Sequence, residues 1–368
     1  MKHSGPVLFL LALFLSAPFP VWAQEGDGGI GANGQDTSRI TFLPDIEYVK
    51  RDGRSYRLDI CKPKKLTSKV PAIVLTHGGG FRKGSKKDLR SECVALAQMG
   101  YVGVAVDYRL TDVAPYPAQI DDVQYAVRWI RAHADQYFVD PTKLGSLGGS
   151  AGGYLATMLG VRDTRDAAGG LLEFSSQVQV VIDRSGIPMD ATNPATLPDP
   201  NGPFKNSFSE IAATYLKGYT QTPELIREIS TVTYVTGKSA PLLAVHSVND
   251  QLAPIANAYA IVNALKTQGV EARVESFQGV GNAHGRKKLP AAQQNRLWEI
   301  ETQFLRAHLL LSSTPGISPA PTTAISGAPA PSRTPSIVEL PKGRPLLVMK
   351  GALIAALVGF TLFLMGRK

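Results

Sequence analysis

One serine, set among glycines between an apolar run and a helix-forming run, constrains this chain more than any other stretch. Residues 143–160 read KLGSLGGSAGGYLATMLG. Gly148, Gly149, Ser150, Ala151 and Gly152 fit G-x-S-x-G, with a strand pattern before and a helix pattern after. Glycines at those positions let a strained turn form without Cβ clashes, so that the serine hydroxyl projects from the edge of a sheet. The helix that follows aims its free amide groups at any negative charge developing on a substrate.

The surrounding pattern says which sheet that is. Short, mostly unalternating apolar runs (SYRLDIC, AIVLTH, VGVAVDY, LGSLG, VQVVID, LLAVHS and ARVESF) predict strands. They alternate with helical periodicity over about 86–99, 117–136, 151–162, 254–268 and 291–311. Such alternation implies an α/β chain with a mostly parallel, doubly wound sheet and helices on both faces. Sheets of this kind place their chemistry at the carboxyl ends of the strands. From about 188 to 238 the rhythm breaks into turns and two short helical pieces, expected to be a small cap insertion over those ends.

Two further elements complete a chemistry. THGGGF, from Thr76 to Phe81, follows the strand AIVLT directly and offers backbone amides to a carbonyl that becomes an oxyanion. The donors assigned are Gly79, Gly80 and Ala151, with Gly78 a close competitor. A serine hydroxyl also needs a base, and the base a carboxylate that orients it. After Ser150 the histidines are His246, His284 and His308. His308 belongs to the final helix and His246 to an apolar strand, whereas His284 stands on a glycine-rich loop, GVGNAHGRK, that can reach the serine. Asp250, in HSVNDQLAP, follows a strand and precedes a helix; a helix cap or Asx turn is the rival use for it. The expected triad is Ser150, Asp250 and His284, in the order the sheet requires.

Taken together, these segments resemble the α/β-hydrolase superfamily, and within it the esterases built on the bifunctional feruloyl and acetyl-xylan esterase domain. RLDICKP, THGGGFRKGSK, GYVGVAVDYRL, the run from YPAQIDD to GGSAGGYLA, HSVNDQLAP and the AHG at His284 carry the likeness. They span nearly all of residues 45–310. The resemblance implies an α/β-hydrolase fold, a serine carboxylic-ester hydrolase, no cofactor and no metal, and acetyl or feruloyl esters of plant polysaccharide as substrates. It also makes DYRL, Asp107 to Leu110, a structural support of the site. The chain departs from the family pattern at Gly149, where a glutamate is common, at Ser247, where a glycine is common, and in the residues inserted before His284.

The two ends suggest an address. Residues 1–23 carry Lys2 and His3, an apolar run and small residues ending at Ala23, as a secretory signal peptide does. Residues 346–366 are almost wholly apolar and close on Arg367 and Lys368, as a membrane anchor would, although a processed sorting signal is a rival. Residues 24–39 are glycine-rich and read as a flexible segment, while 312–345 are rich in Pro, Ser, Thr and Ala and read as a stalk. The catalytic domain is then 40–311, secreted and tethered with its site outside the cytoplasm. The net charge of +9 comes without any nucleic-acid module or interleaved aromatics, so a nucleic-acid partner is not expected. Only Cys61 and Cys93 occur, and spacing leaves their pairing open, as it does the oligomeric state. Two competing functions remain: a formamidase- or peptidase-like amide hydrolase, and a surface module that binds a partner without chemistry.

Overall fold

The computed structural model describes residues 37–279 and 289–310. The signal peptide, stalk, anchor and His284 assigned from sequence lie outside those residues. Among the described residues no helix is long and apolar enough to cross a membrane.

The chain opens with β1 (Ile40–Arg51) and β2 (Arg54–Pro63), an antiparallel hairpin. Its two-residue turn is Asp52 and Gly53, with φ of 49° and 73°. Two positive φ values are what a hairpin turn matching the strand twist demands, and Asp-Gly supplies them cheaply. Next come β3 (Val70–Thr76), α1 (Arg90–Gln98), β4 (Val102–Val106), α2 (Ala118–Ala132), α3 (Ala134–Tyr137), β5 (Val139–Gly149) and α4 (Ala151–Val161). The chain continues with β6 (Val180–Arg184), α5 (Lys205–Tyr215), α6 (Pro223–Glu228), β7 (Leu242–Ser247), α7 (Ala256–Thr267), β8 (Ala272–Phe277) and α8 (Ala291–Leu309).

The eight strands form one sheet in the order β1-β2-β4-β3-β5-β6-β7-β8. β2 runs antiparallel to both its neighbours, and every other pairing is parallel. This is the mostly parallel, doubly wound sheet expected. β3 shows why its sequence does not alternate: Ala72 and Val74 face a core with α2, α4 and α7, whereas Ile73 and Leu75 face a second core with α1 and α8. Both faces are apolar, so every position is.

Three features differ from, or go beyond, the sequence reading. β1 was not expected, because Pro44 and Asp45 interrupt its pattern; Asp45 has φ 59° and the register shifts between Leu43 and Ile46. A bulged edge strand of mixed exposure carries little periodicity. Cys61 of β2 and Cys93 of α1, whose pairing was open, form a disulfide across 5.5 Å between Cα atoms. Closing a 32-residue loop, it contributes about 4 kcal/mol on the loop-entropy account. Finally, the stretch expected to be a cap holds α5 and α6 between β6 and β7.

Candidate active site

Ser150 is the single residue between β5 and α4, held at φ 56° and ψ −125°. That region is costly for a residue with a Cβ, by on the order of 1–3 kcal/mol, and persists only where the surroundings enforce it. Here they do. The Ser150 N–H donates to the Arg184 carbonyl at the end of β6, at 2.8 Å, and its own carbonyl accepts from Tyr154 N–H at 3.1 Å. Gly152 makes the turn possible on the other side: a Cβ built on it would lie 2.1 Å from the Thr76 carbonyl oxygen. The serine itself is half-buried.

The HGGGF loop lies directly against this elbow. A Cβ on Gly78 would be 2.9 Å from the Gly149 carbonyl oxygen and 3.4 Å from Ser150 Cβ. Gly79 and Gly80 both have positive φ, 113° and 62°. Two hydrogen bonds orient their peptides. His77 Nδ1 donates to the Gly78 carbonyl at 2.8 Å, and Arg82 N–H donates to the Gly79 carbonyl at 3.2 Å. In a planar trans peptide the N–H points opposite to the carbonyl, so these bonds turn the amides of Gly79 and Gly80 away from the loop's interior. Ala151 is the first residue of α4, so its N–H has no acceptor within the helix.

His77 is a participant that the sequence reading passed over. It is fully buried, its ring stacks on Tyr108 at 4.1 Å between centroids, and the Tyr108 hydroxyl donates to the His77 carbonyl at 2.7 Å. Burial pushes its pKa down to about 4 against the weaker opposing effect of the Gly78 hydrogen bond, so the imidazole stays neutral and keeps donating. DYRL therefore does brace the loop, with Asp107 Oδ1 also accepting Lys86 N–H at 2.7 Å.

Asp250 follows β7 and is buried, at the same edge of the sheet as Ser150. Two strand spacings, about 10 Å, separate β5 from β7. Its Oδ1 accepts Leu252 and Ala253 N–H at 3.0 and 2.9 Å, the turn contacts of its rival use, and Oδ2 lies 4.0 Å from His246 Nε2. His246 is a fully buried loop support whose Nε2 meets the Ala253 carbonyl at 2.7 Å. Asn249 is a second missed residue. Its Oδ1 accepts from Ser247 Oγ at 2.6 Å and Gly279 N–H at 2.9 Å, and its Nδ2 donates to the Gly279 carbonyl at 3.1 Å. That fastens the β7 loop to the residue where the chain enters the segment holding His284. Ser247, where the family pattern has glycine, is thus a working part of the fastening. Gly149 has room for a side chain, since a Cβ there would be 3.7 Å from its nearest neighbour.

Beneath the elbow lies Asp183 of β6, in register with Gly148 of β5. It is fully buried, and Oδ1 accepts Gly186 N–H at 2.9 Å while Oδ2 has no partner among the described residues. Burial pushes its carboxyl up to about 7. The two buried groups give stability opposite pH slopes. His77, depressed from 6.5, contributes stability that is present above 6.5 and lost as pH falls toward about 4. Asp183, raised from 3.8, contributes stability that is present below 3.8 and lost as pH rises through about 7. Asp183→Asn should therefore gain on the wild type between pH 4 and 8, by on the order of 4 kcal/mol. His77→Gln should gain on it as pH falls from 6.5 to 4, by on the order of 3 kcal/mol. Urea unfolding across pH 4–8 reads both, and profiles parallel to the wild type would contradict these assignments.

No group of three or more metal-ligating side chains occurs among the described residues. What the arrangement offers is a strained, half-buried serine at a helix start, beside a loop of oriented amides, with a buried carboxylate two strands away. That is the equipment of acyl transfer.

Comparison with known proteins agrees with this geometry. The BD-FAE family matches residues 58–265, more than half of the chain. "Esterase LipQ" of Mycobacterium tuberculosis is 26% identical over 292 residues, covering 75% of this chain and 67% of that protein. "Probable carboxylic ester hydrolase LipM" of the same organism is 29% identical, covering 60% of this chain and 51% of that protein. Among solved structures, Thermogutta terrifontis esterase 2 phosphonylated by sarin is 25% identical with a TM-score of 0.62, covering 74% of this chain and 96% of that one. With the elbow, the oxyanion-type loop and the strand order in place, the chain belongs to the BD-FAE family of the α/β-hydrolase fold.

Proposed function

We propose that the chain is a serine carboxylic-ester hydrolase that works through an acyl-enzyme. Ser150 Oγ attacks the ester carbonyl while His284 takes its proton, and Asp250 orients and stabilises the resulting imidazolium. The N–H groups of Gly79, Gly80 and Ala151 receive the oxyanion of the tetrahedral intermediate. Collapse expels the alcohol, to which His284 returns the proton, and water then attacks the acyl-serine with His284 again as base. The acid leaves and the serine is restored. The observation that carries this reading is the positive φ of Ser150 with Gly78 packed against it, a geometry whose strain has no evident purpose other than presenting that hydroxyl.

The esterase names of the relatives support ester over amide hydrolysis, and membership of the BD-FAE family supports acetyl or feruloyl groups on carbohydrate as the substrate class. Secretion and tethering are part of the proposal; the buried Cys61–Cys93 disulfide supports an oxidising compartment, where such bonds form and persist. A panel of acetylated xylan, methyl ferulate, lipid esters and N-formyl amides tests it. The expected result is turnover of a carbohydrate acetyl or feruloyl ester above all others. Faster cleavage of the amide, or of none, contradicts it.

A further inference from the structure

The cap helix α5 sits on the oxyanion-type loop at one point in particular. A Cβ built on Gly80 would lie 2.9 Å from both Cδ1 and Cγ1 of Ile211. The isoleucine occupies the space that a side chain at Gly80 would fill, directly above the backbone assigned to the oxyanion. It is only half-buried, so part of its surface stays exposed beside that backbone. Its neighbours make that side of the serine apolar. Phe81 stacks on Tyr215 at 4.1 Å, and Tyr154, one helical turn after Ser150, packs edge-on against Phe81 at 5.8 Å.

The helix carrying Ile211 is fastened to the loop at one point and to the segment before α2 at another. Glu210 pairs with Arg82 at 2.9 Å, and the Tyr215 carbonyl accepts Tyr116 N–H at 2.7 Å. Ile211 is therefore a wall rather than a flap. An ester has an apolar acyl part and, in a polysaccharide, an alcohol part that must run out to solvent. Phe81, Tyr154 and Tyr215 are buried, so the half-buried Ile211 is the apolar surface beside Gly80 that suits the first.

We propose that Ile211 closes the acyl side of the site and limits the acyl group to a short one, so that acetyl rather than feruloyl esters are the substrates. This rests on the serine esterase reading above, and it adds a residue and a size limit to it. The step is the same acyl transfer, with Ile211 taking no proton and forming no bond.

The test uses p-nitrophenyl acetate, butanoate and hexanoate, with methyl ferulate and a series of acetate esters of differing alcohols alongside, on the wild type, Ile211→Ala and Ile211→Phe. Thermal melts confirm that each is folded. In the wild type acetate should give the highest kcat/KM and ferulate should be barely turned over. Ile211→Ala should raise the butanoate-to-acetate ratio of kcat/KM by about tenfold or more, since one or two methylenes in an apolar pocket discriminate on that scale. Ile211→Phe should lower the same ratio. Ratios that stay within about twofold in both variants overturn the inference while leaving the esterase reading standing. A change confined to a series of acetate esters with differing alcohols overturns it as well, by putting Ile211 on the alcohol side. A wild type that hydrolyses none of these esters fails the esterase reading itself.

Discussion

Replacing Ser150 by alanine is expected to lower kcat/KM on an aryl acetate by on the order of 10⁴-fold or more, with little change in stability. The elbow is held by backbone contacts: Arg184 receives the Ser150 N–H, and Gly152 closes on the Thr76 carbonyl. None of these needs the hydroxyl, so the fold should tolerate its loss. Alanine keeps the Cβ and hence the strain at φ 56°. Ser150→Gly removes it, so that variant should be equally inactive yet more stable, by about 1 kcal/mol. Loss of activity with a gain in stability is the signature of a residue kept for chemistry, and steady-state kinetics with urea unfolding reads both. A Ser150→Ala protein that retains a tenth of the wild-type rate would contradict the assignment.

The second large effect is on stability. Arg184 offers its carbonyl to Ser150, and its guanidinium donates to Glu301 of α8 through two bonds of 2.8 and 2.6 Å. Glu301 is fully buried, Glu92 of α1 adds a third contact at 3.4 Å, and Trp298 lies under the guanidinium at 5.6 Å. Removing one partner of a buried ion pair strands the other charge, which costs on the order of 3–5 kcal/mol. Glu301→Ala should lose that much, while Glu301→Gln, which keeps one acceptor and the packing, should lose less. The unfolding midpoint decides: a loss below about 1 kcal/mol in Glu301→Ala would mean that α8 does not brace the elbow through this pair.

Much of this was legible along the chain. The seven apolar runs became β2 to β8; β3, β4 and β7 were the plainest, because strands covered on both faces need apolar residues at almost every position, which sequence shows directly. β1 was hidden by its bulge at Pro44 and Asp45, although Asp52-Gly53 was a turn signal that could have revealed it. Ser150 and the HGGG loop stood out because their glycines answer to local geometry. His77, Asp183 and Asn249 did not, because their roles come from contacts between separate strands and loops. Asp183 looks like an ordinary strand residue until Gly153, 30 positions earlier, is found 2.3 Å from its Oδ1 when given a Cβ. The disulfide was open for the same reason, since spacing does not give a Cα separation. Asp250 was placed by motif and chain order, and in the structure it is buried at the expected strand end.

The central claim is that Ser150 is the nucleophile of a serine esterase. Folded wild-type protein treated with a fluorophosphonate and mapped by peptide mass spectrometry tests it most directly. The expected result is a single adduct, on Ser150, formed in step with loss of aryl-acetate hydrolysis and absent from Ser150→Ala. An enzyme that hydrolyses the acetate yet carries no adduct on Ser150, or carries it on another residue, would contradict it.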